Sequence, residues 1–211
     1  MKRWLIALNL LAAGWLAAEP PVLREGVLPG AEETPEWYAP ASFTAAPAES
    51  GTLTMWVRPE KWDAQDTGIY SVAELGSRKE NAPGLEFYRQ NNDSLRVLWF
   101  RDMKTQVGDI LVKSPAIPAG KWTHFALTWQ SNGKTTMTRL WINGKNVDSR
   151  WLNFVWGGNS APRKWRFNDS PAWAKSRTKH RIAVGKVALY DRVLSADELE
   201  LQCREKASFE I

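Results

Sequence analysis

The chain has 211 residues, 13 of them tryptophan, and a formal net charge of +5 at pH 7. This length suits one all-β domain with a sizeable core, and so mild a positive charge does not indicate a nucleic-acid partner. The single cysteine, Cys203, excludes a disulfide bond within the chain.

Residues 1–18 have the features of a signal peptide. The basic pair Lys2-Arg3 precedes an apolar run, Trp4–Leu16, and Ala17-Ala18 offers small residues for cleavage. The run is too short for a comfortable membrane span, so we expect none after signal removal; an uncleaved N-terminal anchor is the alternative. Either way, the remainder is expected to be exported to the periplasm, the cell surface or the medium.

Residues 19–50 are rich in proline, alanine and glutamate and show little apolar periodicity. This composition is typical of a linker or of an extended arm that lies on a neighbouring domain. Phe43 stands where the chain would enter its first strand. We therefore expect the folded domain to occupy residues 51–211.

Short segments with apolar residues at every second position follow. In the first, Leu53, Met55 and Val57 alternate with other residues, and Pro59 ends the run. The other predicted strands are Ile69–Leu75, Leu85–Phe87, Leu95–Trp99, Val107–Val112 and Ile182–Tyr190. Short strands separated by glycine, asparagine and proline predict an all-β fold, an antiparallel β-sandwich.

The segment 120–147 predicts two consecutive hairpins. Apolar residues occupy alternate positions over Phe125–Trp129, and residues 131–134 turn the chain into a second strand that ends at Ile142. Asn143-Gly144 then closes the next turn. This dipeptide is the strongest two-residue hairpin signal, because both positions tolerate positive φ.

One short helix is predicted near the C-terminus, over residues 196–206. Ser195 and Glu198 have the spacing of a capping box, in which each side chain bonds the backbone N–H of the other residue. Leu199 and Cys203 then share one helix face, and we expect this face to cover one end of the sandwich.

Three segments carry a resemblance to a known family. In chain order they are Thr52–Pro59 (TLTMWVRP), the segment 120–147 with its motifs GKWTH and LWINGK, and Val187–Leu199 (VALYDRVLSADEL). In this order and spacing they resemble LamG-like jelly-roll domains of the concanavalin A-like lectin/glucanase superfamily, over roughly residues 43–202. The resemblance implies a jelly-roll fold and a role in recognition.

The superfamily also contains glycosidases, whose Glu-x-Asp-x-(x)-Glu motif places carboxylates on one strand. Retaining hydrolysis needs two carboxyl groups about 5 Å apart. This sequence has no such triplet: Asp197–Glu200 falls in the predicted helix, and Glu86 has no acidic neighbour along its strand. We therefore expect no enzymatic activity and assign no catalytic residue.

Many LamG domains bind calcium, which requires six to eight oxygen ligands. The candidate carboxylates are Asp63, Asp66, Asp102, Asp109 and Asp148, and they are scattered along the chain. Gly185-Lys186 also stands where the family has an acidic pair before its closing strand. We therefore expect no metal and no other cofactor.

The segment between Arg150 and Arg181 combines aromatic and basic residues with a single carboxylate, Asp169. Glycine and proline divide it into predicted loops, where function is often found. Indole faces there could cover sugar rings while arginines meet acidic groups, or the tryptophans could instead be buried in the core. The candidate ligand-binding residues are Trp151, Trp156, Arg163, Trp165, Arg166 and Trp173.

These observations favour a secreted, non-catalytic recognition module. Its expected partner is a carbohydrate, with an acidic glycan suggested by the basic segment, or a glycosylated or cell-envelope protein. The alternatives are a structural or protein-interaction domain without glycan binding, and a divergent glycoside hydrolase.

Overall fold

The computed structural model describes residues 22–26, 41–45, 48–60, 62, 68–76, 82–90, 93–102, 104–113, 115, 117–157, 162–168 and 182–204. The predicted signal peptide lies outside these residues.

The described chain consists of strands and one helix. The strands are β1 (Val22–Gly26), β2 (Ala41–Ala45), β3 (Ser50–Pro59), β4 (Tyr70–Leu75), β5 (Gly84–Gln90), β6 (Ser94–Phe100), β7 (Gln106–Lys113), β8 (Thr123–Ser131), β9 (Thr136–Ile142), β10 (Lys145–Leu152), β11 (Arg163–Phe167) and β12 (Ile182–Tyr190), and the helix is α1 (Ala196–Arg204).

The strands form two six-stranded sheets. Sheet A has the order β1-β12-β3-β8-β9-β10, and sheet B has the order β2-β11-β4-β5-β6-β7. Neighbouring strands are antiparallel throughout, which confirms the predicted antiparallel β-sandwich. Two of its strands, β1 and β2, fall within residues 19–50, so a domain boundary at residue 51 leaves out two strands that pair with the sandwich.

The core is built from alternate residues of the facing strands. Leu53, Met55 and Val57 of β3 are fully buried and belong to it. Across the sandwich, Trp129 of β8 stacks on Trp165 of β11 with ring centroids 6.5 Å apart. Each buried side chain of this size removes about 150–250 Å² of surface from water. This burial holds the two sheets together and fixes the strands that carry the outward-pointing residues.

Helix α1 lies on the outer face of sheet A and not at an end of the sandwich. Its fully buried Leu199 packs with Ala126 and Ala188, small residues that point outward from β8 and β12. The N–H of Glu198 donates to Ser195 Oγ at 3.2 Å, and the N–H of Ser195 donates to the Glu198 carboxylate at 2.7 Å, which confirms the capping box. Among the described residues, no helix is long and apolar enough to cross a membrane.

Both predicted hairpins are present. Asn132 Oδ1 accepts the backbone N–H groups of Lys134 and Thr135 at 3.0 and 2.9 Å, which closes the turn between β8 and β9. Asn143 and Gly144 adopt positive φ of 49° and 73° between β9 and β10. The hairpins therefore place three adjacent strands at one side of sheet A.

Candidate binding surface

The tryptophans that follow Arg150 lie in different environments. Trp156 and Trp165 are 1% and 0% exposed and belong to the core, so the prediction that their indole faces are available to a sugar is wrong. Trp165 lies on the core-facing side of β11, which is an interior strand of sheet B paired with both β2 and β4. The expectation that this whole segment forms loops is therefore also wrong at β11.

The two predicted arginines of β11 contact other protein groups. Arg166 Nη1 donates to the Gly76 carbonyl oxygen at 2.9 Å and lies 3.5 Å from the Glu74 carboxylate. Arg163 lies against the same turn, where a side chain at Gly76 would collide with its guanidinium. Trp173, the remaining predicted residue of the site, lies outside the described residues.

Trp151 is the predicted ligand residue that presents a large apolar surface to solvent. Its side chain is 57% exposed, whereas its neighbour Leu152 is fully buried in the core. Successive residues of a strand point to opposite faces, so Trp151 points outward from sheet A. Among the described strands, β10, which carries Trp151, pairs with β9 alone and forms the edge of sheet A.

The strand register gathers eight side chains around Trp151 on the outer face of sheet A. Three cross-strand rows from β8, β9 and β10 form this Trp151 surface: Gln130, Met137 and Trp151; Thr128, Arg139 and Ser149; and Ala126, Trp141 and Asn146. Arg139 and Trp141 were not among the predicted site residues. Their outward direction is nevertheless readable from the sequence, because they alternate with Leu140 and Ile142, which pack in the core.

Trp141 has a fixed orientation on this surface. Its indole N–H donates to Thr128 Oγ1 at 3.2 Å, and its ring packs against the cluster that contains Leu199 of α1. The side chain is only partly buried. Its position on β9 is four residues from Met137, the row partner of Trp151, which corresponds to about 14 Å along a strand.

Arg139 occupies the centre of the Trp151 surface, in a grid without a carboxylate. No ion pair reaches its guanidinium from the part of the chain that the structure describes. Carboxylates on adjoining elements pair with other arginines: Asp148 with Arg150 at 3.2 Å, Glu198 with Arg192 at 2.5 Å, and Glu200 with Arg204 at 2.6 Å. The hydrogen bond from Arg192 lowers the pKa of Glu198 to about 2, so that pair persists over a wide pH range.

A small cavity opens on the same face, toward β12. Its volume is about 70 Å³, and its lining residues are Thr54, Trp56, His124, Lys186, Ala188, Tyr190 and Gln202. One of its walls is fixed, because the Gln202 amide donates to Tyr190 Oη at 2.8 Å. The lining mixes hydroxyl, amide, imidazole and ammonium groups with aromatic rings.

His124 and Cys203 meet beside this cavity, beneath the last turn of α1. Nδ1 of His124 lies 3.3 Å from the Cys203 sulfur, which donates to the Leu199 carbonyl oxygen at 3.0 Å. Burial lowers the pKa of His124 to about 4, and burial with the nearby charge of Glu200 raises the pKa of Cys203 to about 11. At neutral pH the pair is an uncharged imidazole and a thiol, which does not provide a thiolate nucleophile.

Sheet B contains a carboxylate pair that the sequence did not reveal. Glu86 of β5 lies directly opposite Glu74 of β4, and the two are 2% and 1% exposed. Glu86 has no acidic neighbour along β5, as expected from the sequence, and Glu74 becomes its neighbour only through the pairing of β4 with β5. Arg166 lies beside Glu74 and offsets the repulsion between the two carboxylates.

The described carboxylates do not form a calcium site. Asp102 accepts the backbone N–H groups of Lys104 and Thr105, hydrogen bonds that lower its pKa. Asp109 pairs with Arg96 at 2.8 Å. Within the described residues, no three His, Cys, Asp or Glu side chains come together as metal ligands, and Asp63 and Asp66 lie outside that part of the chain.

The family model Laminin_G_3, of the concanavalin A-like lectin/glucanases superfamily, matches residues 36–200. The chain therefore belongs to this superfamily, as its hairpins and closing strand predicted. A search of curated proteins found no match.

Solved structures of botulinum neurotoxin domains have a similar fold. The receptor binding domain of neurotoxin D matches with a TM-score of 0.56 and 12% identity over 77% of this chain and 38% of that chain. The serotype D ligand binding domain in complex with N-acetylneuraminic acid gives 0.57 and 12% over 76% and 37%, and the type G receptor binding domain gives 0.52 and 14% over 78% and 42%. This chain thus spans about two fifths of each domain, and the likeness concerns the fold alone.

Proposed function

We propose that this protein is an exported, non-catalytic module that binds carbohydrate on the Trp151 surface. The observation that carries the proposal is the 57% exposed Trp151 side chain on a strand whose next residue is anchored in the core. An indole held in this way offers an apolar face that can cover a sugar ring, without a further cost of ordering a loop.

The rest of the surface supplies the polar groups that a glycan requires. Gln130, Ser149 and Asn146 offer amide and hydroxyl groups around the two tryptophans. The separation of Trp141 from the Trp151 row allows contact with more than one sugar ring. An acidic glycan is favoured because Arg139 has no acidic partner among the described residues, and an arginine can hold a carboxylate or a sulfate through paired hydrogen bonds.

Membership of a lectin/glucanase superfamily supports recognition of carbohydrate. One similar structure is a complex with N-acetylneuraminic acid, an acidic sugar. Export is supported by the signal-like residues 1–18. A glycosylated envelope protein would present the same chemistry as a free glycan.

A glycan array with the wild-type protein and Trp151→Ala tests the proposal. The variant should lose binding by roughly tenfold or more, the effect of removing about 1.4 kcal/mol or more of contact energy. Leu111→Ala is the matched control, because Leu111 is an exposed apolar residue on sheet B, 38% accessible. Equal binding by the wild type and Trp151→Ala, or an array without any hit for folded protein, would contradict the proposal.

The acidic preference has its own test. Arg139→Gln should weaken binding to carboxylated or sulfated oligosaccharides and spare their uncharged analogues, whereas Arg101→Gln should change neither. Arg101 is a suitable control because its side chain is 57% exposed and lies close to Asp102. If Arg139→Gln lowered the affinity for acidic and uncharged oligosaccharides equally, Arg139 would act through its shape and not through its charge.

The second candidate function is glycoside hydrolysis at Glu74 and Glu86. Residues directly opposite in an antiparallel pair have Cβ atoms about 4.5–5.5 Å apart, close to the spacing of a retaining carboxylate pair. Both side chains are at most 2% exposed, so a substrate would need the face to open first. If the protein hydrolysed a polysaccharide and Glu86→Gln abolished this activity, hydrolysis would replace carbohydrate recognition as the proposed function.

A further inference from the structure

The free edge of β10 is bonded at Ser149 by side chains of the same strand. The N–H of Ser149 donates to Asp148 Oδ1 at 2.8 Å, and its carbonyl oxygen accepts from Arg150 Nη1 at 3.4 Å. The carbonyl oxygen of Arg150, by contrast, accepts from Thr138 Oγ1 of β9 at 3.3 Å. Because backbone groups point to the two sides of a strand in alternation, those of Ser149 point away from β9. Asp148 and Arg150 thus take the place that a further strand would have beside Ser149.

The residues of β10 are arranged symmetrically about Ser149. Asp148 and Arg150, on either side of it, carry opposite charges, and their side chains are 19% and 54% exposed. Val147 and Trp151, one position further out, are apolar and 38% and 57% exposed. The strand therefore presents an acidic, a basic and two apolar side chains at matched distances from one residue.

This symmetry matches the strand to a second copy of itself. When two identical antiparallel strands are related by a twofold axis, residues equally distant from the axis lie opposite each other. An axis at Ser149 places Asp148 opposite Arg150 of the second copy. The same axis places Val147 opposite Trp151. An axis one residue away loses both matches, because it sets Ser149 opposite Val147 or Trp151. Charge and apolar area therefore select one register.

We propose that β10 is an interface between two copies of this chain, paired antiparallel about a twofold axis at Ser149. The Ser149 N–H and carbonyl groups of the two copies then bond each other, and each Asp148 exchanges the Arg150 of its own strand for that of the second copy. Opposite charges and apolar residues that face each other across a strand pair stabilise it. The register of β10 shifts between Asn146 and Asp148, and bulges limit edge pairing, so we expect a weak dimer that dissociates on dilution.

This pairing joins sheet A of one copy to sheet A of the other. A twofold axis at Ser149 that is perpendicular to the sheet keeps both outer faces on the same side, so the Trp151 surfaces of the two copies lie side by side. The backbone groups at the edge form the interface whether or not either surface binds carbohydrate. The dimer and the proposed function can therefore each fail without the other.

Sedimentation velocity over a concentration series up to the millimolar range tests the interface. The wild type should show a monomer–dimer equilibrium. Asp148→Arg sets arginines opposite each other on both sides of the axis and should raise the dimer dissociation constant at least about tenfold, because opposed like charges are destabilising. Arg150→Asp should do the same through opposed aspartates. Arg204→Glu is the control, because it reverses a charge on α1 that is 72% exposed, and it should leave the dissociation constant unchanged.

An equimolar mixture of Asp148→Arg and Arg150→Asp gives the decisive measurement. Facing positions then carry arginines on one copy and aspartates on the other, so the mixture should associate at least as tightly as the wild type. Neither variant can form the ion pair within its own strand, so recovery can come only from pairing between copies. A wild type that remains monomeric at every concentration, or a mixture that associates no better than its components, overturns the proposal. Glycan binding by a monomeric wild type would leave the proposed function standing.

Discussion

Strands β10 and β11 each carry a tryptophan beside an arginine, but the two tryptophans lie in opposite environments. Each joins a tryptophan to an arginine, Arg150-Trp151 in β10 and Trp165-Arg166 in β11. Trp151 lies on the outer face of β10, at the edge of sheet A, and is 57% exposed, whereas Trp165 lies on the core-facing side of β11 and is fully buried. Whether the tryptophan of this pair reaches solvent or the core is therefore set by the face of the strand that it occupies.

The largest expected effect tests this contrast directly. Trp165→Ala should lower the free energy of unfolding by about 4 kcal/mol, because it removes a fully buried indole and leaves a cavity beside Trp129. Trp151→Ala should change it by less than about 0.5 kcal/mol. Urea denaturation of both variants measures the difference, and similar losses in the two would show that Trp151 is also a packing residue.

The next largest effect is the pH dependence of stability that arises from His124, which lies on the part of sheet A that α1 covers and not at its open edge. His124 has a pKa of about 4 when folded and an ordinary value of 6.5, so as pH falls the unfolded chain takes up the proton first. The free energy of unfolding should therefore fall by about 3 kcal/mol between pH 6.5 and 4. His124→Gln should remove this dependence. Denaturation of the wild type and of His124→Gln at several pH values measures this dependence. If the free energy of unfolding of His124→Gln fell with pH as steeply as that of the wild type, another group would be responsible.

A smaller loss of stability is expected from a change at Arg166, the arginine that follows Trp165 in β11. Arg166→Met should destabilise the protein by about 2 kcal/mol, because the buried Glu74 loses its cation and still faces Glu86. Glu74→Gln combined with Arg166→Met should recover part of this loss. If the double variant were no more stable than Arg166→Met alone, the apolar stem of the arginine would be its main contribution.

The corresponding change in β10 should have the smallest effect. The side chain of Arg150 is 54% exposed and pairs with Asp148 at 3.2 Å, and exposed pairs of this kind contribute about 0.2–1 kcal/mol. Arg150→Met should therefore shift the free energy of unfolding by about 0.5 kcal/mol or less, and added salt should reduce the shift. If Arg150→Met lowered the free energy of unfolding as much as Arg166→Met, the contrast between the exposed Arg150 and the largely buried Arg166 would be contradicted.

Local patterns were sufficient to predict most of the scaffold. The alternation in Ile182–Tyr190, the Asn143-Gly144 turn and the Ser195–Glu198 capping box all depend on residues close in sequence, and each is present. The placement of β11 depends on distant partners, β2 and β4, so its short run Arg163–Phe167 could not be recognised as an interior strand.

The candidate sites were harder to predict for the same reason. Trp151 was among the predicted ligand residues, but Arg139 and Trp141 join it only through the register of three strands. Glu74 and Glu86 are 12 positions apart in sequence and adjacent only across β4 and β5. Lys186 was noted for the acid it replaces in the family, whereas its place beside a cavity depends on a bulge and on α1.

The two hairpin turns differ in how much space surrounds their glycines, and therefore in whether a label can be attached there. At Gly144, an added Cβ would lie 3.1 Å from the Glu200 Cα, and φ is 73°, so a side chain there would be strained and would press on the backbone of α1. Gly133 has no atom within 4 Å of an added Cβ but has a φ of 82°, so the exposed Lys134 of the same turn is the better position for a label; this turn joins the strands that carry Gln130 and Met137. A fluorophore attached at Lys134 would lie at the turn next to the Trp151 surface, away from α1, and would report whether a ligand binds there.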